Sequence, residues 1–353
     1  MITLSETETK DILAAAPALL LPWFAENARD LPWRADREPY HVWLSEIMLQ
    51  QTRVEAVKGY YARFLAALPD IRSLAAAEPE ELNKLWEGLG YYSRVRALHA
   101  AAQVVTERFD GVFPREWALV RALPGVGDYT AGAICSICFD QPTPAVDGNV
   151  LRVVSRLTGY TRCVDEEKTK RSVRAALAAV YPAGRCGDFT QSLMELGATV
   201  CVPNGAPDCA SCPMRAVCKS AGGGWKTLPV RREKKPRRRE ALTVFFLRCE
   251  GSVAVRKRGD SGLLAGLWEF PNVPGHLDAQ GAIAKAETWG VRPRELEREV
   301  RRTHIFTHVE WDMRCFFLRC GRSPEGELHW VTDETLERAL ALPTAFRMFI
   351  EKD

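Results

Sequence analysis

Two carboxylates and four cysteines stand in settings where they could do chemistry. Glu46 sits in Trp43-Leu44-Ser45-Glu46-Ile47-Met48-Leu49, an acid among apolar neighbours. Such neighbours can strip water from a carboxylate and raise its pKa, which suits it to donate a proton near neutrality. A solvated surface glutamate is the competing reading. Asp147 sits in Ala145-Val146-Asp147-Gly148-Asn149-Val150, a glycine-containing turn ahead of a helical segment. An aspartate there commonly caps the helix. The two acids lie far apart in the chain, so only the fold can bring them together.

Cys201, Cys209, Cys212 and Cys218 form C-x7-C-x2-C-x5-C. The chain has 11 cysteines, an odd number unevenly spread, which is not a secreted disulfide framework. In a reducing compartment such a cluster points to a metal. Four thiolates suit zinc. The usual zinc arrangement of two separated C-x2-C pairs is absent. Cys135, Cys138, Cys163, Cys186, Cys249, Cys315 and Cys320 sit mostly in apolar runs and are expected as small buried hydrophobes. His304 and His308 lie close together, but no third ligand follows at a telling spacing, so no metal is expected there.

Leu123-Pro124-Gly125-Val126-Gly127 separates two helical segments. Two glycines at this spacing allow a tight turn with backbone N–H groups pointing outward. At the start of a helix running from Tyr129 to Phe139, those donors would seat a phosphate. An ordinary helix–helix turn could use the same residues.

These residues need elements to hold them. Over residues 11–220 apolar side chains recur at helical spacing, as in Val42, Leu44, Ile47, Met48 and Leu49, or Val95, Leu98, Ala101, Ala102 and Val105. From Gly222 the pattern stops. Between Lys226 and Glu240 there are 8 Lys or Arg against 2 Glu, a local balance of +6, which marks a basic linker. Beyond it, Leu242 to Leu247, Val253 to Val255 and Trp311 to Leu318 read as strands. Ala279 to Trp289 and Glu334 to Leu340 read as helices. The expected fold is therefore multi-domain: an all-α domain over 1–220, a linker over 221–240 and an α+β domain over 241–353.

With 46% hydrophobic and 26% charged residues, the composition of this 353-residue chain is that of a soluble globular protein. The apolar stretch from Ile12 to Phe24 is too short to span a bilayer, contains Pro17 and Pro22, and lacks a basic lead. A cytoplasmic, monomeric protein with no membrane partner is the expectation. The net charge of +3 permits nucleic acid binding without demanding it.

Leu123-Pro-Gly-Val-Gly-Asp-Tyr-Thr-Ala-Gly-Ala-Ile134 followed by Ala145-Val-Asp-Gly-Asn-Val-Leu-Arg-Val153 resembles the helix-hairpin-helix DNA glycosylases. Asp30-Leu31-Pro32-Trp33-Arg34 and the stretch from Trp43 to Thr52 are similar to the signature of the MutY branch. Endonuclease III-like members carry a nucleophilic lysine just after the second glycine; here Asp128, Tyr129 and Thr130 follow Gly127. The resemblance, which covers roughly residues 11–345, implies a monofunctional adenine glycosylase of base excision repair, acting on adenine mispaired with 8-oxoguanine or guanine in double-stranded DNA. It assigns Glu46 to protonating the adenine and Asp147 to stabilising the oxocarbenium-like sugar. Tyr129 and Asn149 support them. Arg29, Trp33, Arg34, Leu49 and Gln191 match the adenine pocket, and Gln51 and Tyr91 match residues that fill the space left by a flipped base. Gly125, Val126 and Gly127 would hold the DNA backbone. Cys201, Cys209, Cys212 and Cys218 would hold one 4Fe-4S cluster. The family usually has six residues in the first spacing, where this chain has seven, Val202 to Asp208.

Gly262-Leu263-Leu264-Ala265-Gly266-Leu267-Trp268-Glu269-Phe270-Pro271 resembles the entry to a Nudix-type fold. Of the metal-binding acids in the helix that follows, only Glu287 matches. The fold is expected without diphosphate hydrolysis. In MutY proteins this domain reads the oxidised guanine, and Phe306-Thr307-His308 matches the phenylalanine-serine-histidine loop, with a hydroxyl kept at Thr307. The competing readings are an endonuclease III-like pyrimidine glycosylase/lyase, a nucleotide pyrophosphatase and a non-enzymatic DNA-binding or redox module.

Overall fold

The computed structural model describes residues 7–233, 236–322 and 328–350, with only the backbone of Arg322. The domain limits and the basic linker read from the sequence extend onto residues 1–6, 234–235, 323–327 and 351–353, which lie outside the described residues. The chain divides into two compact units, residues 1–76 with 97–233, and residues 77–96 with 234–353.

The first unit is helical: α1 (Thr7–Asn27), α2 (Pro39–Leu49), α3 (Val54–Ala67) and α4 (Ile71–Ala76), then the greater part of α6 (Ser93–Phe109), α7 (Trp117–Arg121), α8 (Asp128–Phe139), α9 (Gly148–Thr158), α10 (Glu167–Ala178) and α11 (Cys186–Thr199). Val150, Val153, Val154 and Leu157 of α9 pack with Leu13, Ala16 and Leu20 of α1 and with Phe189, Leu193 and Leu196 of α11. Each such valine, leucine or phenylalanine contributes roughly 1.5–3 kcal/mol when fully buried. That apolar face therefore anchors α9, whose first turn carries Asp147 and Asn149. Val42 of α2 packs with Ala133 and Ile137 of α8, which brings the helix of Glu46 against the helix of Tyr129. No helix among the described residues is long and apolar enough to cross a membrane.

Gly197 and Gly125 are among the glycines that close packing requires. A Cβ on Gly197 in α11 would lie 2.7 Å from the Cβ of Asn149. Gly125 has a φ of +71°, and a Cβ there would lie 2.5 Å from that of Ala97. Both distances are too short for real atoms, and Gly125 is also in the left-handed region that a side chain disfavours.

The second unit contains α5 (Pro79–Leu85) and a sheet of β1 (Arg238–Cys249), β2 (Ser252–Lys257), β3 (Trp268–Glu269), β4 (Asn272–Pro274), β5 (Val291–Ile305), β6 (Val309–Arg322) and β7 (His329–Thr332). Helices α12 (Ala279–Glu287), α13 (Asp333–Arg338) and α14 (Thr344–Arg347) complete it. The strand order is β3-β2-β1-β6-β5, with β1 and β6 parallel, and β4 and β7 pairing with β1 and β2. Val244 and Phe246 face one apolar core, Phe245 and Leu247 the other, as the two-residue period of a strand requires.

Three features depart from the sequence reading. Residues 77–96, inside the limits 1–220, cluster with the second unit. Glu87 there accepts from Leu342 N at 3.0 Å and pairs with Arg347 at 2.8 Å, and Arg96 donates to Ala265 O at 3.0 Å. Strand β1 begins at Arg238, inside the basic linker, because its pairing with β6 runs back to Arg238 opposite Val309. Strand β5 was not expected. It lies at the sheet edge and is mostly exposed, so it is held by cross-strand ion pairs, Glu299 with Arg314 and Glu297 with Arg319, instead of by alternating apolar residues.

Candidate active site

Helix α2 delivers Glu46 into a cavity of about 620 Å³ whose opposite wall is the turn that starts α9. Glu46 is 6% exposed. Burial pushes its carboxyl up to about 7, assisted by the negative charge of Asp147 and opposed by a hydrogen bond and by Arg34. The hydrogen bond comes from Tyr129, whose hydroxyl donates to Glu46 Oε2 at 2.5 Å. Burial and the two nearby carboxylates hold the Tyr129 phenol far above its ordinary value, so it remains a donor.

Asp147 does cap α9: Oδ1 accepts from Val150 N at 2.7 Å. Its Oδ2 accepts from Asn149 Nδ2 at 2.8 Å. The capping reading holds, and the cap fixes the carboxylate at the cavity wall. Burial raises its pKa despite these two donors. Asn149 Oδ1 in turn accepts from Arg152 at 2.8 Å, and Arg152 Nε donates to Cys201 O at 2.8 Å.

Arg29, Trp33, Arg34, Leu49, Gln51 and Gln191 line the same cavity. Glu195, also on the wall, was missed by sequence reasoning. Its side chain is fully buried and accepts from Arg29 Nε at 2.6 Å, Arg29 Nη2 at 3.0 Å and Arg34 Nη2 at 2.8 Å. Burial alone would raise its pKa, but these donors outweigh that and hold it below the usual range. One buried carboxylate thus orients two arginines toward the cavity. Within the sequence, Glu195 is one acid in a helical pattern, with nothing to distinguish it from a solvated one. Among the described residues, no lysine lines the cavity.

The glycine turn ahead of α8 takes the expected shape, with one correction. Val126 is buried and its N–H donates to Leu123 O at 3.1 Å, so that donor is spent within the turn. That leaves the N–H groups of its glycine neighbours, Gly125 and Gly127, as the candidates for a phosphate seat. Asp128, in the first turn of α8, is engaged by Arg121 at 2.5 Å and Arg174 at 2.8 Å.

Cys201, Cys209, Cys212 and Cys218 line one small cavity together with Val153, Leu157 and Trp225. The first spacing runs through a loop where Gly205 takes a φ of +83°, and Cys201 lines the same small cavity as the other three cysteines. Arg156 Nη1 lies 3.4 Å from Cys201 Sγ. Among the described residues, no three His, Cys, Asp or Glu side chains are grouped so as to hold a single metal ion. Of the remaining cysteines, Cys138 and Cys163 are only half-buried, a correction to their reading as core residues, whereas Cys135, Cys186, Cys249, Cys315 and Cys320 are buried.

Tyr91, Phe306, Thr307 and His308 belong to the second unit and line a separate cavity of about 400 Å³ there. Phe306 to His308 form the tip between β5 and β6, where Phe306 N donates to Val309 O at 2.8 Å. The Phe306 ring packs edge-on against Trp311 at 4.8 Å, leaving Thr307 and His308 exposed. The Thr307 hydroxyl is hydrogen-bonded to the hydroxyl of Tyr91. Leu263 and Ile305, which also line this cavity, are exposed apolar residues that the sequence reading did not single out.

Comparison with known proteins agrees with this architecture. Residues 44–182 match the HhH-GPD superfamily of base excision DNA repair proteins, and residues 243–352 match the NUDIX domain. The mouse adenine DNA glycosylase is 35% identical, over 94% of this chain and 77% of its own length. Its human counterpart is 34% identical, over 94% of this chain and 73% of its own. Among solved structures, a thermostable thymine-DNA glycosylase superposes with a TM-score of 0.55 at 28% identity, covering 60% of this chain and 97% of that one. Endonuclease III in a non-covalent DNA complex superposes with a TM-score of 0.52 at 23% identity, covering 65% of this chain and 99% of its own, a likeness of fold. A helical helix-hairpin-helix unit and a Nudix-type sheet unit in one chain, with relatives matched along nearly its full length, make this a member of the adenine DNA glycosylase (MutY) family and a DNA N-glycosylase of base excision repair.

Proposed function

We propose that the protein hydrolyses the N-glycosidic bond of adenine paired with 8-oxoguanine or guanine in duplex DNA, without a covalent enzyme intermediate. The observation that carries this reading is the pair of buried acids in one cavity: Glu46 with its carboxyl pushed up to about 7, and Asp147 with its carboxylate fixed by Val150 N–H and Asn149.

A base within the duplex is out of reach, so the adenosine is flipped into the cavity, at an unstacking cost of a few kcal/mol. Gln51, on the wall of that cavity, fills the vacated space, Tyr91 is a ring that can stack on a base, and Gly125 and Gly127 hold the backbone. With a pKa near neutrality, Glu46 is partly protonated at working pH and able to release its proton. It protonates a ring nitrogen of adenine, the C1′–N9 bond breaks, and the electron pair leaves with the base. Asp147 lies against the resulting oxocarbenium-like sugar and stabilises its charge. Water then adds at C1′ and loses its proton. Tyr129 and Asn149 keep the two acids in place, and Arg29, Trp33, Arg34, Leu49 and Gln191 enclose the base. The absence of lysine from the described cavity wall supports hydrolysis over Schiff-base chemistry.

Thr307, hydrogen-bonded to Tyr91 at the β5–β6 tip, is assigned with Phe306 and His308 to reading the base opposite adenine. The four cysteines fit a 4Fe-4S cluster: they share one cavity with Val153, Leu157 and Leu196, and a cluster distributes its thiolates over several irons. Cys201, Cys209, Cys212 and Cys218 would hold it, and when bound it would supply an ordered loop beside α9.

The test is alkali-dependent strand cleavage of a labelled duplex containing adenine opposite 8-oxoguanine. Product from wild type that is lost in Glu46→Gln is expected. A protein–DNA adduct trapped by borohydride would overturn the hydrolytic reading. No product at all from iron-replete protein would sink the substrate assignment.

A further inference from the structure

The segment joining α5 to α6 holds an unusual backbone. Gly88, Gly90 and Tyr91 have φ values of +97°, +71° and +48°, three left-handed residues within four. Tyr91 carries a side chain there, a conformation that must be imposed by its surroundings.

Arg94 imposes it. Its Nη2 donates to Leu89 O at 3.0 Å and Gly90 O at 3.1 Å, and its backbone N–H donates to Tyr91 O at 2.8 Å. The guanidinium carbon lies 5.3 Å from the centre of the Trp86 ring and 5.5 Å from that of Tyr91, within reach of a cation–π attraction. Trp86 adds Nε1 to Gly90 O at 3.0 Å. Burial lowers the Arg94 pKa to about 10, which leaves it charged at neutral pH. The planar fork of a guanidinium can serve two carbonyls and two ring faces together, and an ammonium cannot. Tyr91 is held from its other end by Thr307, yet remains 41% exposed.

We propose that Arg94 is a positioning residue that sets the pose of Tyr91, and that it governs discrimination of the base opposite adenine entirely through Tyr91. This rests on the assignment of Thr307, the hydrogen-bond partner of Tyr91, to that base.

A double-mutant cycle on the full-length protein tests it. The variants are Tyr91→Ala, Arg94→Met and the pair, and the readout is the ratio of single-turnover excision rates for adenine opposite 8-oxoguanine and opposite guanine. Thermal unfolding monitors the fold. Arg94→Met is expected to lower the ratio at least tenfold when Tyr91 is present and less than twofold when it is alanine. Equal losses in both backgrounds, or an unchanged ratio in folded Arg94→Met, overturn the proposal. Should Arg94→Met not fold, Arg94→Lys enters the same cycle and is judged by the same non-additivity. A Tyr91→Ala protein that discriminates like wild type would sink the reading of Tyr91, and this proposal with it. An intact Tyr91 effect with additive losses would sink the role of Arg94 alone.

Discussion

Replacing Glu46 by glutamine should stabilise the protein in a pH-dependent way while abolishing excision. The folded pKa of Glu46 is about 7 against an ordinary 4.5. A carboxyl whose pKa is raised on folding contributes stability that is fully present below about pH 4.5. That contribution is lost as the pH rises through about 7, because the folded protein then holds a buried charge. At 1.36 kcal/mol per unit, the difference amounts to about 3 kcal/mol. Glutamine keeps an acceptor for the Tyr129 hydroxyl and carries no charge at any pH. Glu46→Gln should therefore gain about 3 kcal/mol on wild type between pH 4.5 and 8.5, a relative rise in Tm of roughly 6–12 °C for a unit of this size. The assay is thermal unfolding of both proteins at the two pH values. In the same preparations, wild-type single-turnover excision should fall about tenfold per pH unit well above pH 7, and the variant should lose roughly 10²–10⁴ in rate. A stability difference that does not change with pH would refute the reasoning, since Glu46 would then be an ordinary ionised carboxylate with no proton to give.

Three further outcomes follow from the geometry. Gly197→Ala places a Cβ 2.7 Å from that of Asn149, so it should cost roughly 1–3 kcal/mol and lower the excision rate more than duplex affinity, measured by single turnover and by titration. Glu195→Gln leaves the Arg29 and Arg34 guanidiniums without their carboxylate, with a loss of on the order of 3 kcal/mol in denaturant unfolding near pH 7. Because the Glu195 pKa is lowered on folding, its contribution is present above its ordinary pKa and fades as the pH falls below it, so the variant and wild type should converge in acid. Cys201→Ser should remove visible iron-sulfur absorbance from freshly prepared protein and lower its Tm, and unchanged absorbance would remove Cys201 from the ligand set.

The chemistry-bearing residues were legible because their types are rare in such settings. An acid amid Trp43, Leu44, Ile47 and Met48, a glycine turn before a helix, and clustered cysteines each stand out from a composition of ordinary proportions. The helical and sheet regions were legible as well, because a helix or half-buried strand writes its period into its apolar residues. Edge strand β5 left no such mark. Its partners are ions across the ribbon, and Arg and Glu carry no periodicity that separates a strand from a solvated loop. The attachment of residues 77–96 to the second unit also left none, since Glu87 gains its meaning only from Leu342 N and Arg347, more than 250 positions onward.

What the sequence determined by itself was the set of candidate groups and the local elements that carry them. Tertiary structure decided which of those groups share a cavity and what their surroundings do to them. Burial, which depends on the packing of α2 against α8, pushes the Glu46 carboxyl up to about 7; the same glutamate in water would be ionised. The cap that fixes Asp147, the two arginines gathered on Glu195, and the backbone N–H of Val126 spent inside its turn all depend on distances between residues that the chain order leaves undetermined. Pairwise geometry sets desolvation and hydrogen bonding, and these set the chemistry.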